Sequence, residues 1–171
     1  MIVLVDGRSG SGKTELARAL VQQHPSFQLV GLDGLYPGWH GLEAGSAAIP
    51  ELLRTGVWRS WDWANDRPGE WREIDPAGDI LVEGVGALTA ASRPLAEVAV
   101  WVDLDDATRR SRALARDPYF AAHWDDWAAQ EWEFIGLELP IALADELVDG
   151  HDVGHDLDRW RVVVEPARVD E

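Results

Sequence analysis

Residues 7–14 read Gly7-Arg8-Ser9-Gly10-Ser11-Gly12-Lys13-Thr14. This stretch matches the phosphate-loop pattern G-x-x-x-x-G-K-[ST] at every fixed position. The apolar residues 2–5 before it predict a buried strand, and residues 15–21 after it carry apolar side chains at helical spacing. A strand, a glycine-rich turn and a helix are the context that this motif needs, because the turn's N–H groups and the helix N-terminus then face one anion.

Lys13 is the only lysine among the 171 residues. Arginine replaces a phosphate-loop lysine poorly, so we expect Lys13 to reach the β- and γ-phosphates and the Thr14 hydroxyl to help hold Mg²⁺. The alternative is a glycine-rich turn without a ligand, which the flanking strand and helix disfavour. The sequence therefore predicts a site for a nucleoside triphosphate, formed by Gly7, Arg8, Ser9, Gly10, Ser11, Gly12, Lys13 and Thr14.

The composition restricts the partners. A formal net charge of −16 argues against a non-specific nucleic-acid binder or a protein of anionic membrane surfaces. No apolar run is long enough to span a bilayer, the first strand leaves no room for a signal peptide, and cysteine is absent. We expect a cytoplasmic protein with one domain over residues 1–171, a small-molecule substrate, and no nucleic-acid or membrane partner; the oligomeric state stays open.

Further apolar runs alternate with helical patterns, which predicts an α/β fold of three layers around a mostly parallel five-stranded sheet, the phosphate-loop NTPase architecture. The strands after the first are expected at residues 27–32, 80–84, 98–102 and 147–148, with an added edge strand at 160–165. A hairpin is expected from residues 57–63 and 71–74, turning at 65–69. Helices are expected at 46–55, 105–116, 121–136 and 137–145, the last two divided near Gly136 to Pro140.

Two acidic residues follow predicted strands, at the edge where open α/β sheets bind ligands. Asp33 comes after the second strand and could accept a proton from a substrate hydroxyl that attacks the γ-phosphate. Glu83 ends a strand expected beside the first and could orient water bound to Mg²⁺. The alternatives are a turn-capping aspartate and an ordinary polar strand end.

An arginine row follows on a predicted helix. Arg109, Arg112 and Arg116 lie at i, i+3 and i+7 and share one face, with residues 104, 107 and 114 free to face the sheet. Such a row could clamp the transferred phosphoryl group when a mobile lid, about residues 109–124, closes. The alternative is a solvated face paired with Asp105, Asp106 and Asp117.

Ten tryptophans are many for this length. Some could form a stacking wall for a planar substrate, although core packing is expected for most, including Trp124, Trp127 and Trp132. The histidines show no trusted metal spacing, and the segment from His151 to His155 is interpreted as a polar loop rather than a metal site.

With these residues in place, the chain resembles the uridine kinase-like branch of the phosphate-loop kinases. Residues 7–14 fit the family's G-x-S-x-S-G-K-T loop, and Asp33 to Tyr36 resemble its D-x-x-Y element, whose aspartate is the catalytic base. Residues 82–84 resemble its E-G strand end, and residues 144–148 its A-D-x-I-I strand. The resemblance is distributed over most of the chain.

Two further segments carry the resemblance. Residues 61–63 with Arg67 resemble the family's Y-D-F segment and following arginine, which line the nucleoside pocket, although both aromatic positions are tryptophan here. Residues 109–117 resemble the lid helix R-x-x-R-R-x-x-R-D, while the family's E-R-G-R lid sequence is replaced by residues 118–124.

The resulting hypothesis is an ATP- and Mg²⁺-dependent kinase for a small-molecule hydroxyl, most readily a nucleoside-like one. The expected catalytic residues are Lys13, Asp33, Arg112 and Arg116, with Arg109 also at the cofactor; Thr14 and Glu83 would hold the metal; and Asp33, Tyr36, Trp39, Trp61, Asp62 and Arg67 would bind the acceptor. The alternatives are a kinase for a sugar acid or antibiotic, and a nucleotide-binding regulator without turnover.

Overall fold

The structure, a computed structural model, describes residues 1–153. One sheet contains β1 (Ile2–Asp6), β2 (Phe27–Gly31), β5 (Asp79–Glu83), β6 (Val98–Asp103) and β7 (Glu146–Asp149). Its order is β2-β5-β1-β6-β7, and every neighbouring pair is parallel. The predicted α/β fold with a five-stranded sheet is thus confirmed, whereas the edge strand expected at 160–165 lies outside the described residues.

The central strands are buried on both faces, which explains their continuous apolar sequence. In β1, Val3 and Val5 pack with Leu16 of the first helix on one face of the sheet. Leu4 points to the opposite face and packs there with Val82 among the side chains of the larger cluster. All four of these β1 and β5 side chains are fully buried, so β1 is fixed in the middle of the sheet with the phosphate-loop motif at its carboxyl end.

The helices are α1 (Lys13–Gln23), α2 (Leu42–Ala47), α3 (Ile49–Thr55), α4 (Asp106–Arg116), α5 (Trp124–Glu138) and α6 (Pro140–Leu143). The start of α4 follows the prediction, because the Asp105 carboxylate accepts a hydrogen bond from the Thr108 N–H at 2.9 Å. The expected helix at 46–55 is instead two short helices, α2 and α3. The last two helices divide within the expected range Gly136 to Pro140, because α5 ends at Glu138 and α6 begins at Pro140.

A separate antiparallel hairpin joins β3 (Val57–Asp62) to β4 (Arg67–Glu73), so its turn lies at 63–66 rather than at 65–69. Within the hairpin, the pairing register of β3 with β4 shifts between Arg59 and Trp61. Such a bulge bends the strand and redirects the side chains beyond it. Before the bulge, Trp58 packs against the main core, whereas Val57 is 39% exposed on the other side of the strand.

No helix within residues 1–153 is both long enough and apolar enough to cross a membrane.

Candidate active site

A cleft of about 560 Å³ opens at the carboxyl edge of the sheet. This edge is where β1, β5 and β2 end side by side, since Val5 pairs with Glu83 and Glu83 with Gly31. Seven non-glycine residues that the sequence predicted for the site line the cleft together: Ser9, Lys13, Thr14, Asp33, Glu83, Arg112 and Arg116. Arg18 of α1 also lines it and was not predicted.

The phosphate loop connects β1 to α1 and packs closely against the backbone of residues 102 and 109. A Cβ at Gly7 (φ 148°) would lie 3.2 Å from the Val102 carbonyl carbon, and one at Gly10 (φ 81°) would lie 2.8 Å from the Arg109 carbonyl carbon. Both positions combine a left-handed backbone with a close backbone approach, so only glycine fits them. The loop therefore has a fixed shape set by the surrounding chain.

The loop has the features of an anion site. No side chain caps the N-terminus of α1 at Gly12, so its first N–H groups remain available for an anion. The Ser11 hydroxyl is buried and has no hydrogen-bond partner among the described residues. Lys13 is only 7% exposed, and its ammonium donates to the Arg8 carbonyl oxygen at 3.0 Å. A phosphate group therefore fits the donors that the loop presents.

Thr14 and Glu83 meet on the floor of the cleft. The Thr14 hydroxyl lies 3.2 Å from both carboxylate oxygens of Glu83, a pair of oxygen ligands of the kind that Mg²⁺ prefers. Burial raises the pKa of the Glu83 carboxyl; the Lys13 charge opposes that rise and the Asp33 carboxylate adds to it. A cation beside Glu83 would favour its ionised form.

Asp33 lies in a single 3-10 turn, residues 32–34, directly after β2, and its side chain is exposed to the cleft. The indole N–H of Trp63 donates to the Asp33 carbonyl oxygen at 2.7 Å, so the hairpin fixes the turn that carries this carboxylate. Trp63 belongs to the segment that resembles the family's pocket segment, but it was not among the expected acceptor residues. Its segment was recognised in the sequence, but only the tertiary contact shows which of its tryptophans reaches Asp33.

The arginine row divides into two roles. Arg109 was expected at the cofactor but is 1% exposed; it donates to the Ser9 carbonyl oxygen at 2.9 Å and pairs with Asp106. The buried face of α4 is Arg109 and Ala113, so the expectation that residue 107 faces inward is wrong. Arg112 and Arg116 are exposed and line the cleft, and Arg112 donates to the Gly150 carbonyl oxygen at 2.9 Å.

Arg8 also differs from its expected role. Its guanidinium points away from the cleft and forms ion pairs of 2.9 Å with Glu131 of α5 and with Asp106. The exposed ring of Trp132, which was expected to pack in the core, lies 4.1 Å from this guanidinium. Only the backbone of Arg8 takes part in the loop, through the bond from Lys13.

Of the six expected acceptor residues, only Asp33 lines the cleft, and the other five lie elsewhere. Tyr36 is 1% exposed and donates to the Val85 carbonyl oxygen at 2.7 Å, so it belongs to the core. Trp39 stacks on His123 with ring centroids 4.2 Å apart and lies 4.9 Å from Trp63. The remaining three, Trp61, Asp62 and Arg67, are on the hairpin, where Asp62 pairs with Arg67 at 3.5 Å.

Asp6 also contributes to the site, although the sequence did not predict it. It is fully buried at the end of β1 and accepts backbone hydrogen bonds from Gly7 at 2.6 Å, Gly86 at 3.1 Å and Leu88 at 2.8 Å. Burial raises its pKa to about 7, against the effect of these bonds and of the Lys13 charge. Asp6 thereby ties the start of the phosphate loop to the chain that follows Glu83.

In the polar segment after β7, His151 lies 3.7 Å from the Asp105 carboxylate. His155 lies outside the described residues.

The chain was compared with known protein families and with curated proteins. No known protein-family model matches the chain. A curated uridine kinase of Ligilactobacillus salivarius (strain UCC118) is 28% identical in an alignment of 141 residues, which covers 68% of this chain and 66% of that protein. The match thus spans slightly less than two thirds of the length of that relative.

Solved structures give the same fold. A possible uridine kinase from Bacillus stearothermophilus has a TM-score of 0.60 at 20% identity, over 87% of this chain and 88% of that one. A shikimate kinase from Bacteroides thetaiotaomicron has a TM-score of 0.61 at 13% identity, over 96% and 98%. A gluconokinase from Sinorhizobium meliloti 1021 has a TM-score of 0.54 at 18% identity, over 92% and 91%. The chain therefore shares the fold of these P-loop kinases, and the curated relative and one solved structure bear out its resemblance to uridine kinases.

Proposed function

We propose that this protein is a kinase that transfers the γ-phosphoryl group of ATP to a hydroxyl of a small molecule, with Mg²⁺. The observation that carries the proposal is that one cleft holds a phosphate loop with its lysine, an oxygen pair for a metal and an exposed carboxylate. These are the groups that phosphoryl transfer needs, since its catalysis consists of positioning and electrostatic stabilisation.

The chain's own groups divide the work. The loop amides, the uncapped end of α1 and Lys13 would hold the phosphates, and Thr14 with Glu83 would hold the metal. Bound Mg·ATP supplies the phosphoryl group and part of the neutralising charge. Arg112 and Arg116 bring positive charge into the cleft of a protein whose formal net charge is −16, which favours the approach of an anionic ligand.

Asp33 would act on the acceptor. Its carboxylate would accept the proton of the attacking hydroxyl, and Trp63 would hold the turn that aims it. Positioning of this kind is effective because small displacements of a reacting group cost much of the rate.

Two acceptor classes have support. Trp63 and Trp39 lie together beside the Asp33 turn, and the L. salivarius relative is named a uridine kinase, so a nucleoside-like acceptor is favoured. Arg112 and Arg116 in the cleft favour a hydroxy acid as the second candidate, and two solved structures of the same fold are a shikimate kinase and a gluconokinase.

An ADP-release screen with Mg·ATP tests the proposal. Nucleosides, sugar acids, shikimate-like acids and aminoglycosides would be offered to the wild-type protein and to Lys13→Ala. Turnover with a nucleoside that disappears in Lys13→Ala supports the favoured acceptor, and turnover with an acid alone supports the second. Equal ADP release by both proteins would refute the proposal, and tight ATP binding without turnover on any acceptor would indicate a regulator.

A further inference from the structure

The outer side of the phosphate loop is held by a buried ion network. Glu131 is 1% exposed, and its two carboxylate oxygens have separate partners on the loop. One accepts from the Ser9 N–H at 2.8 Å and the other from the Arg8 guanidinium at 2.9 Å. Arg109 lies 3.9 Å from the same carboxylate and donates to the Ser9 carbonyl oxygen. Both backbone groups of Ser9 are therefore held from outside, one by α5 and one by α4.

The network has balanced charge and little contact with water. Arg8 and Arg109 face Glu131 and Asp106, and of these four side chains only that of Asp106 is largely exposed. Trp132 covers the Arg8 guanidinium from the solvent side. A buried ion pair loses its balance when one member is neutralised, because the remaining charges stay desolvated. The shape of the loop thus depends on the Glu131 charge.

We propose that Glu131 is a positioning residue for nucleotide binding: it orients the Ser9 peptide of the phosphate loop and links the loop to α5. This inference rests on the proposed function and deepens it. Because Glu131 already uses the Ser9 N–H, that group is not a donor to the phosphates. By holding the Ser9 peptide, Glu131 keeps the neighbouring loop amides in place before the nucleotide arrives. This strengthens binding, because preorganised donors bind an anion more strongly than mobile donors do.

The contacts of Ser9 with Arg109 and Glu131 also restrain the region expected to form the lid, about residues 109–124. The helices on either side of residues 117–123 are both attached to the loop, α4 through Arg109 and α5 through Glu131. A nucleotide that fixes the loop therefore also fixes these helices.

Glu131→Gln tests the proposal, with Glu133→Gln on the exposed side of α5 as the matched control. The amide keeps the shape but cannot balance Arg8 and Arg109. We expect the Kd for Mg·ADP, measured by calorimetry, to rise about tenfold or more in Glu131→Gln, as for a lost charge-assisted contact. The KM for ATP should rise in the same ratio with the KM for the acceptor unchanged, and Glu133→Gln should match the wild type.

A merely structural role would lower the melting temperature and the active fraction but leave the Kd of the folded protein unchanged, and that result would overturn the proposal. A wild-type protein that does not bind Mg·ADP would overturn the proposed function itself. If Glu131→Gln does not fold, hydrogen exchange of the wild type decides. Mg·ADP should slow exchange in residues 7–14 and in α5 together, and slowing confined to the loop would overturn the link.

Discussion

Gly10 occupies a variable position of the phosphate-loop pattern, and the structure gives a physical reason for glycine there. In Gly10→Ala the new methyl group would lie 2.8 Å from the Arg109 carbonyl carbon and 3.0 Å from its Cα, inside van der Waals contact with the backbone of α4. The backbone at φ 81° adds about 1–2 kcal/mol for a side chain in the left-handed region. Overpacking against a helix backbone adds about 1–3 kcal/mol.

The sum predicts that Gly10→Ala lowers the free energy of unfolding by about 2–5 kcal/mol. For a chain of this size, that loss of stability corresponds to a fall of roughly 4–20 °C in the melting temperature, which circular dichroism would measure. Gly136→Ala is the control, because no atom lies within 4 Å of the added methyl on the surface of α5. It should stabilise the helix by about 0.5–1 kcal/mol. A Gly10→Ala protein that melts with the wild type would refute the close packing of α4 on the loop.

Three further changes separate the roles of individual groups. Asp33→Asn should lower kcat by about 10²–10⁴-fold with the Kd for ATP unchanged; a loss of ATP affinity instead would make Asp33 a structural or metal residue. Trp63→Phe removes the bond to the Asp33 carbonyl and should lower kcat by up to roughly tenfold, whereas unchanged kcat would show that the turn needs no such support. The pKa of Asp6 in the folded protein, about 7, lies above its usual value, so the folded state binds this proton more tightly than the unfolded state does. The stability that this proton contributes is therefore lost as pH rises from about 4 to 7. Urea unfolding would give the free energy of unfolding of the wild type and of Asp6→Asn at each pH. The difference between the two should fall across this range by at most about 1.4 kcal/mol per pH unit, and a constant or rising difference would contradict the raised pKa of Asp6.

Much of the fold is readable from the sequence because it rests on local patterns. The apolar residues of β1 and the motif that follows it fix a strand, a turn and a helix within 23 residues of the N-terminus. Asp105 marks the start of α4 through a bond to a residue three positions later. Asp33 and Glu83 were expected on one rim because parallel strands end on the same edge, and the structure brings both to the cleft.

The rest depends on contacts between distant parts of the chain. Glu131 lies 122 residues from Ser9, and nothing in its own helix distinguishes it from the exposed acidic residues nearby. Arg109 shared a face with Arg112 by helical spacing, yet the loop and Glu131 supply the partners that allow Arg109 alone to be buried. Tyr36 fitted a family element, but its hydroxyl finds a backbone partner in the core.

Lys13 and its loop are proposed to form a nucleotide site, and calorimetry with Mg·ATP measures that binding without any acceptor. Lys13 is almost buried beside the Arg8 carbonyl, with no other lysine in the chain to replace it. We expect the wild type to bind one Mg·ATP. We expect Lys13→Ala, still folded by circular dichroism, to bind Mg·ATP at least about tenfold more weakly, because a charged contact is lost. Equal affinity of the two proteins, or no binding by either, would contradict the proposed site.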